Sequence, residues 1–475
     1  MFRDREERRL PTTECNQVSF EFEGLFSRKV IGGFNGGQIS SDGGGLLLRE
    51  VERRTGILKG FAGCFSDHRA ADRIEHSVRE LVAQRVYALA LGYEDLNDHD
   101  QLRADPLLAV LADKRDPEGN GRKRARDRGK ALAGKSTLNR LELTRAEVTK
   151  QERYAKIVMD TEAIDQLLVE VFLEAHATAP EEIVLDLDAT DDPLHGRQEG
   201  RFFHGYYGHY CYLPLYIFAG EHLLCARLRP SNIDAAAGSQ EEVERIVKQI
   251  RMRWPAVPII LRADSGFCRD ALMSWCETNH VHYVFGLARN QRLRKIIDAE
   301  MIEARLLQEQ TQQPARVFGE FVYQTHDSWS RARRVIGKAE YLAKGENPRF
   351  VVTSLDVARL AAQPLYEQLY CARGEMENRI KEQFSLFSDR TSTAYLRSNQ
   401  LRLYLSSIAY LLLEGLRRLG LKGTAMAKAQ CQTIRLKLLK IGVLVRITVR
   451  KVWVSLSSGY PHQALCARIF QQLHC

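Results

Sequence analysis

Four aspartates crowd a short segment that otherwise predicts a buried strand. In "IVLDLDAT" (183–190), apolar residues alternate with Asp186 and Asp188, and two more aspartates follow the segment. Ionised carboxylates are costly to bury unless they are paired or bind a cation. Strand alternation puts Asp186 and Asp188 on one face, so we expect Asp188, nearer the strand end, to bind a cation and Asp186 to have a buried partner. Asp191 and Asp192, which precede a proline, are expected to form a turn at the rim of the site.

Acidic residues recur in two later segments that a mixed sheet would bring to the same place. In "ILRADSGF" (260–267), Asp264 follows an apolar strand and precedes Gly266, and the helix "YEQLYCARGEMENRIKEQF" (366–384) carries several glutamates. Polar residues can converge at the carboxyl ends of strands in mixed α/β sheets. Two aspartates and a glutamate from a neighbouring helix supply the oxygen ligands that hard divalent cations such as Mg²⁺ prefer.

The helix taken alone has a more ordinary interpretation. Tyr370, Arg373, Glu377 and Lys381 recur every three or four residues and therefore share one face. The pairs Arg373–Glu377 and Glu377–Lys381 are four residues apart, which is typical of a surface helix with salt bridges. The helix by itself favours that alternative.

Three motifs in order resemble a known family. The pattern Tyr370-x2-Arg373-x3-Glu377 resembles the Tyr-x2-Arg-x3-Glu-x6-Lys signature of DDE-class insertion-sequence transposases. The stretches "LDLDATDDPLHG" (185–196) and "RADSGF" (262–267) are similar to the two aspartate motifs of that class. The fuller phrases, with "YCARGEMENRIKE", resemble one bacterial branch. The resemblance runs from the glycine-rich "GGFNGGQISSDGGG" to "TIRLKLLKIG" and so covers most of the chain.

This resemblance implies a catalytic triad. Asp188, Asp264 and Glu377 would be the metal-binding carboxylates of a ribonuclease-H-like core, with a strand-rich insertion between the second aspartate and the glutamate. One position departs from the signature, because Gln383 stands where the family has its lysine. Lys381, on the face of Glu377, is the expected substitute in DNA binding.

The resemblance also implies a metal and partners. Two Mg²⁺ ions, or Mn²⁺ in their place, about 3.5–4 Å apart would activate the attacking oxygen and stabilise the leaving one. Asp188 would bridge the ions, and the other two acids would complete one site each. Water first frees a 3′-hydroxyl at the transposon end, and that hydroxyl then attacks target DNA. The expected partners are transposon-end DNA and target DNA, bound by a homodimer.

Four further residues are expected to contact DNA phosphate. Tyr370 and Arg373 would lie near the cut, where the guanidinium can form a bidentate fork. Arg197 and Arg201 lie in the loop that follows the first aspartate motif. The leading function is therefore a transposase that cleaves and joins DNA. The alternatives are a catalytically inactive DNA-binding protein derived from a transposase and a metal-dependent nuclease without strand transfer.

The secondary-structure pattern predicts an α/β protein whose ribonuclease-H-like mixed sheet is flanked by further regions. Strands are expected at 183–190, 205–218, 222–230, 258–265 and 281–288, with long helices at 239–254, 365–386 and 425–440. The expected division is an N-terminal arm (1–30), a helical DNA-end-binding domain (31–175), the catalytic core (176–289 and 349–390), an insertion (290–348) and a C-terminal basic helical and strand region (391–475). Asp42 is expected to cap a helix that begins near Leu46.

Composition fits a cytoplasmic, DNA-associated protein. The chain of 475 residues carries a formal net charge of +9, and basic residues concentrate at 114–128 and 433–451. Two separate basic regions favour a nucleic-acid partner. Its ten cysteines include no Cys-x2-Cys pair, which argues against a zinc finger. The opening residues do not form a signal peptide, and the apolar runs are too short to span a membrane.

Three other features invite a functional interpretation that we do not favour. "GKALAGKS" (129–136) matches a phosphate-binding loop, but the preceding "GRKRARDR" cannot be the buried strand that such a loop follows. His195, His204 and His209 could supply a metal site, although surface or strand-capping histidines are commoner. The aromatic run from Phe202 to Tyr212 is expected to pack in the core rather than stack on bases.

Overall fold

The N-terminal part is built of short strands and helices. The computed structural model describes residues 19–148 and 154–474. In chain order this part contains β1 (Ser19–Leu25), β2 (Arg28–Gly33), β3 (Ile39–Ser40), α1 (Gly45–Thr55), α2 (Ile57–Gly63), β4 (Phe65–Asp67), α3 (Val78–Leu91), α4 (His99–Leu102), α5 (Pro106–Leu111), α6 (Lys135–Glu142), β5 (Ile157–Met159) and α7 (Thr161–Glu174). Helix α3 begins where Ser77 and Glu80 form a reciprocal capping box, which satisfies two backbone donors.

The middle of the chain alternates strands with a few helices. Its elements are β6 (Ile183–Ala189), β7 (Asp192–Pro193), β8 (Phe202–His204), β9 (His209–Tyr212), β10 (Leu215–Ala219), β11 (His222–Arg227), α8 (Ser239–Arg253), β12 (Ile259–Ala263), α9 (Asp270–Thr278), β13 (His282–Leu287), α10 (Gln291–Ile296), α11 (Asp298–Thr311), β14 (Ala315–Tyr323), β15 (Arg333–Leu342), β16 (Gly345–Glu346) and β17 (Arg349–Thr353).

The C-terminal part is mostly helical. It contains α12 (Ala362–Pro364), α13 (Gly374–Ser385), α14 (Leu396–Gly420), α15 (Cys431–Ile434), β18 (Val443–Ile447), β19 (Val452–Leu456) and α16 (Gln463–His474). A π-helical turn, Leu365–Tyr370, and a 3-10 turn, Cys371–Arg373, join α12 to α13. A second π-helical turn, Arg435–Leu439, follows α15. Among the residues that the structure describes, no helix is long and apolar enough to cross a membrane.

A large mixed sheet organises the fold. Its strands lie in the order β11-β10-β6-β12-β13-β17-β15-β14, and β16 pairs with β15. Strands β6, β12 and β13 run parallel to one another, whereas β10, β11, β17, β15 and β14 each run antiparallel to their neighbours. The chain is therefore a mixed α/β protein with a large mixed sheet, as the sequence predicted.

Helices cover both faces of the sheet. On one face Leu185 and Leu187 of β6 pack in a core with residues of α7, α8, α9 and α11. On the other face Tyr216 and Phe218 of β10 pack against α14, a helix buried along most of its 25 residues. Because side chains alternate along a strand, Asp186 and Asp188 point to this second face, towards α13 and α14.

Three predicted elements are wrong in detail, for local reasons. The strand expected at 205–218 is split, because Pro214 lacks the N–H that a continuous strand would donate; β9 joins a small sheet with β7 and β8, and β10 joins the large one. The helix expected over 365–386 changes its hydrogen-bond pattern twice before α13. The helix expected over 425–440 begins only at Cys431.

Asp42 does not cap a helix through its side chain. Helix α1 begins at Gly45 without a side-chain cap. The Asp42 carboxylate instead accepts hydrogen bonds from the Tyr93 hydroxyl (2.8 Å) and from Lys440 Nζ (2.6 Å). The bond from Lys440 ties the segment before α1 to the C-terminal region. The glycine-rich "GKALAGKS" leads into α6, which begins at Lys135, and a 3-10 turn rather than a strand precedes it.

Candidate active site

A cleft of about 370 Å³ opens beside the carboxyl ends of β6 and β12. Asp188, Asp264, Glu377 and Arg373 line it, together with Ala189, Thr190, His204, Tyr206, Tyr207, Leu213, Ala235 and Phe267. The structure therefore brings together the three acids that the sequence analysis singled out and one of the five residues expected to contact DNA.

Parallel pairing places the two aspartates side by side. Leu187 of β6 is in register with Ala263 of β12, so Asp188 and Asp264 are the next residues on adjacent parallel strands. Asp188 Oδ1 accepts a hydrogen bond from the Ala189 N–H (2.9 Å). Asp264 Oδ1 accepts one from the Gly266 N–H (2.8 Å) and caps the short turn that follows β12.

Helix α13 presents the glutamate from above the sheet. Met376 and Ile380 are buried in the core that α14 organises, and this packing leaves Glu377, about half exposed, on the open side of the helix. The helix begins directly after the 3-10 turn, so Arg373 lies one turn before Glu377. Changes of helical geometry of this kind are frequent at functional sites.

Arg373 lies between two of the acids. Its guanidinium is 3.8 Å from Asp188 Oδ2 and 3.6 Å from Glu377 Oε1, which are ion-pair distances too long for hydrogen bonds. Burial raises the pKa of Asp188 to about 7, Arg373 opposes this rise, and the charges of Asp264 and Glu377 add to it. Among the described residues that line the cleft, Arg373 is the one arginine or lysine.

The donor atoms of the cleft fit a hard divalent cation in their chemistry. Three carboxylates offer oxygen ligands, and a buried acid with a raised pKa is one that additional positive charge would stabilise. Within residues 19–148 and 154–474, however, no three His, Cys, Asp or Glu side chains are arranged as a metal-ligand group. The positive charge between Asp188 and Glu377 is supplied by Arg373.

Asp186 has the buried partner that the sequence analysis required. Arg262, opposite it in the parallel pair of β6 and β12, donates from Nε to Oδ1 (2.5 Å) and from Nη2 to Oδ2 (2.7 Å). Asp186 is therefore a paired, structural acid two residues before Asp188.

Asp191 and Asp192 differ from the turn that was expected at the rim. Asp192 lies in the short strand β7, is 1 % exposed, and accepts a hydrogen bond from the Thr391 hydroxyl (2.8 Å). Asp192 is buried because β7 pairs with β9, where Tyr212 is its partner. The sequence alone does not reveal this pairing. Asp191 is partly exposed and pairs with His209, with Nε2 and Oδ2 2.8 Å apart.

The remaining expected phosphate contacts lie outside the cleft lining. Tyr370 is half-buried, with its hydroxyl directed at the backbone of Gly286, and burial raises its pKa. Lys381 and Arg197 are exposed. Arg201 lies over the ring of Tyr210, with its guanidinium carbon 3.8 Å from the ring centre, and donates a hydrogen bond to the Gly196 carbonyl.

Sequence analysis missed part of the cleft. The aromatic run was expected in the core, yet Phe203 and Tyr206 are largely exposed on or beside the small sheet, and only Tyr212 is fully buried. Tyr207 and His204 line the cleft, and the pKa of Tyr207 is raised to about 12 by burial and by the nearby charges of Asp191 and Asp188. A cue was available, since Gly205 and Gly208 interrupt the run and indicate a turn.

One of three comparisons with known proteins identifies a family for this chain. A comparison with curated proteins gives no match. The cryo-EM structure of a piggyBac transposase synaptic complex with hairpin DNA is similar over 84 % of this chain and 80 % of that one, with 11 % identity and a TM-score of 0.39, a likeness too weak to define the fold. The family model described as "Transposase DDE domain group 1" matches residues 22–475. Because that match spans nearly the whole sequence, the chain belongs to this family of DDE transposase domains.

Proposed function

We propose that the protein is a transposase that binds transposon-end DNA, cleaves it by metal-dependent phosphodiester hydrolysis and joins the freed 3′-hydroxyl to target DNA. The observation that carries this proposal is the convergence of Asp188, Asp264 and Glu377 on one cleft. Membership of the DDE transposase family supports the same conclusion. The bacterial insertion-sequence branch remains a prediction from the motifs.

We further propose that the core is ribonuclease-H-like. The order β11-β10-β6-β12-β13, with β10 antiparallel to its neighbours and β6, β12 and β13 parallel, supports this assignment. In such a core the first and fourth strands, here β6 and β12, are neighbours. The aspartates at their carboxyl ends, Asp188 and Asp264, can therefore act together. The proposed division into an end-binding domain (31–175), a core, an insertion (290–348) and a C-terminal region accompanies this assignment.

The three carboxylates would hold the divalent metal, Mg²⁺ or Mn²⁺, that the family typically uses. Bound there, the metal would lower the pKa of an attacking water and neutralise charge on the phosphate. Asp188, whose carboxylate interacts with the charges of Arg373, Asp264 and Glu377, is the proposed central ligand. Glu377, about half exposed, is accessible from the more open side of the cleft.

Arg373 and Tyr370 are proposed to bind the phosphate beside the scissile bond. A guanidinium can donate two parallel hydrogen bonds to a phosphate, and Arg373 already faces the cleft. In the first reaction the oxygen of water bonds to phosphorus, and the 3′-oxygen leaves and gains a proton. In the second that 3′-hydroxyl bonds to a target phosphorus, and the target 3′-oxygen leaves. Lys381, Arg197 and Arg201 are proposed as more distant DNA contacts, and joining two ends requires two copies of the chain.

A cleavage assay tests this function. Strand-labelled duplexes that span the DNA on either side of the coding sequence are incubated with protein and Mg²⁺, and nicked and joined products are resolved on a denaturing gel. We expect Asp188→Asn, Asp264→Asn and Glu377→Gln to bind these duplexes and to cut none of them. Asp298→Asn, at an exposed aspartate on α11, is the matched control and should cut like the wild type.

The outcomes separate the alternatives. Binding without nicking by the wild-type protein would indicate an inactive DNA-binding protein derived from a transposase. Nicking without joined products would indicate a nuclease. Cutting by Asp188→Asn would show that the assigned triad is wrong.

A further inference from the structure

A second and larger cavity lies in the N-terminal part, among residues that the proposed chemistry does not use. Its volume is about 810 Å³. It is lined by Arg69, Ala70, Arg73, Glu75, His76, Asp100, Arg103, Arg122, Arg124, Arg126, Asp127, Lys130, Gly134, Ser136, Thr137, Arg140, Leu141, Tyr154, Ala155, Lys156 and Ile157. We call this set the basic cleft.

The charge of the basic cleft is strongly one-sided. Nine of its lining residues are arginine or lysine, and three are aspartate or glutamate. Burial, together with the charges of Lys114, Arg122 and Arg69, lowers the pKa of His76 to about 3, so this histidine is neutral at physiological pH. The positive charge of the cleft therefore comes from groups that remain charged at every pH at which the protein is used.

Only some of the arginines that line the basic cleft form ion pairs within the protein. Arg103 lies 3.5 Å from Asp127, and Arg122 lies 3.4 Å from Glu75. In contrast, Arg124 has no acidic group within 4.0 Å among the described residues. Arg73 and Arg126, both largely exposed, approach only the carboxylates of their own neighbours in sequence, at 4.0 Å. These three arginines are available to an external anion.

Hydrogen bonds hold the loop that carries Arg122, Arg124 and Arg126. Asp116 accepts hydrogen bonds from the N–H groups of Gly119 (3.0 Å) and Gly121 (2.7 Å). Gly119 has a φ of +70°, and a side chain there would meet the backbone of Lys130 at less than 3.0 Å. Lys123 Nζ donates to the Asp72 carbonyl (2.6 Å), which ties the loop to the opposite wall. The loop backbone is therefore in place before any ligand arrives, which lowers the cost of binding.

We infer that the basic cleft binds the phosphodiester backbone of duplex DNA, an inference that rests on the proposed function. The catalytic cleft has three carboxylates and one arginine, so it repels a polyanion until metal is present. Affinity for DNA must then come from cations elsewhere, and phosphate neutralisation by Arg and Lys supplies most non-specific affinity. Tyr154 is the aromatic residue of the described lining, and Arg140 lies over its ring at 4.4 Å. Backbone contact is thus favoured over the base stacking by which proteins hold single strands.

Charge reversal at the three exposed arginines tests this inference. The variant Arg73→Glu/Arg124→Glu/Arg126→Glu and its charge-removing counterpart with Gln at each position are compared with the full-length wild type. The probe is a fluorescein-labelled duplex DNA of arbitrary sequence and about 30 base pairs, titrated by anisotropy over a series of salt concentrations. Lys295→Glu/Arg305→Glu, on the exposed side of α10 and α11, is the matched control. Thermal unfolding of each variant verifies that the fold is retained.

We expect the Gln variant to weaken DNA binding at low salt by about tenfold or more and to reduce the slope of log K against log salt by about one unit for each arginine. The Glu variant should lose more affinity, and the control should stay within about twofold of the wild type. DNA affinity unchanged in both cleft variants would overturn the inference. If the cleft variants lose DNA binding while the wild-type protein cuts no DNA, the result supports DNA binding by the basic cleft and contradicts the proposed function. If the wild type cuts DNA and the cleft variants bind it normally, the result supports the proposed function and contradicts DNA binding by the basic cleft.

Discussion

Asp186 and Arg262 form a bidentate, buried ion pair across two parallel strands. Its two N–O distances are 2.5 and 2.7 Å, and both side chains are less than a tenth exposed. Arg262 Nη1 also donates to the Leu369 carbonyl (2.6 Å), in the π-helical turn that includes Tyr370 and precedes Arg373. One guanidinium thus links the strand that carries Asp188, the strand that carries Asp264 and the helical segment that carries Glu377.

Removing Asp186 should destabilise the protein strongly. Asp186→Ala leaves Arg262 charged and buried without its partner, a change that typically costs about 3–5 kcal/mol. Urea unfolding monitored by circular dichroism measures this loss. The double variant Asp186→Leu/Arg262→Met removes both charges and should recover much of the stability. A double variant less stable than Asp186→Ala would contradict this account of the pair.

Replacing Arg373 should strengthen metal binding in the absence of DNA. Arg373→Gln removes the positive charge 3.8 Å from Asp188 and 3.6 Å from Glu377, so the carboxylates repel one another more and gain more from a cation. We expect Mn²⁺, followed by its electron paramagnetic resonance signal, to bind about tenfold more tightly, while DNA cleavage falls. Arg379→Gln, which removes an arginine elsewhere on α13, is the control. Equal Mn²⁺ affinity in wild type and Arg373→Gln would show that the guanidinium does not compete with the metal.

The buried carboxyl of Asp192 should make stability depend on pH. Burial raises its pKa to about 8, and the Thr391 hydroxyl opposes this only in part. The native state therefore keeps its proton while the unfolded state loses one, so stability falls as pH rises from about 4 to about 8, by up to about 1.4 kcal/mol for each pH unit. Asp192→Asn should flatten this dependence in urea unfolding at pH 5, 6, 7 and 8. The same slope in Asp192→Asn and in the exposed-site control Asp298→Asn would show that Asp192 is not its source.

Gly286 should prove necessary for activity rather than for folding. A Cβ added there would lie 2.6 Å from the Tyr370 hydroxyl and 2.9 Å from the Ser265 backbone nitrogen, so Gly286→Ala must displace the helical segment or the turn after Asp264. Small displacements of reacting groups can cost about 100-fold in rate. We therefore expect slower DNA cleavage by Gly286→Ala, measured with the labelled duplexes. Gly63→Ala, where an added Cβ meets nothing within 4 Å, should cleave normally.

The sequence predicted those parts of the fold whose signals are local. The apolar alternation of β6, the strand before Asp264 and the amphipathic helix α8 all lie within a residue or two of their expected positions. The need of Asp186 for a buried partner also followed from elementary electrostatics, although Arg262 could not be named because strand register is a property of the whole sheet.

What the sequence could not supply was set by contacts between distant segments. Asp192 was assigned to a turn from its proline neighbour, yet pairing with Tyr212 buries it. The basic loop at 114–128 was recognised from composition. The other arginines that line the same cleft, such as Arg73 and Arg140, come from separate segments and could not be grouped with it. Arg373 could be placed on the Glu377 face, whereas its second approach, to Asp188, depends on how α13 crosses the sheet.

The long segment between Asp264 and Glu377 has a consequence for protein synthesis and folding. Strands β14 and β15 form the edge of the sheet beyond β17. Strand β17 then pairs with β13, and Glu377 follows later in the chain. Contacts between residues distant in sequence form late, and chains emerging from the ribosome fold from the N-terminus. Strands β14, β15 and β17 precede Glu377 in the chain and so leave the ribosome before it. A chain interrupted before α13 lacks Glu377, so under the proposed function it should not cut DNA.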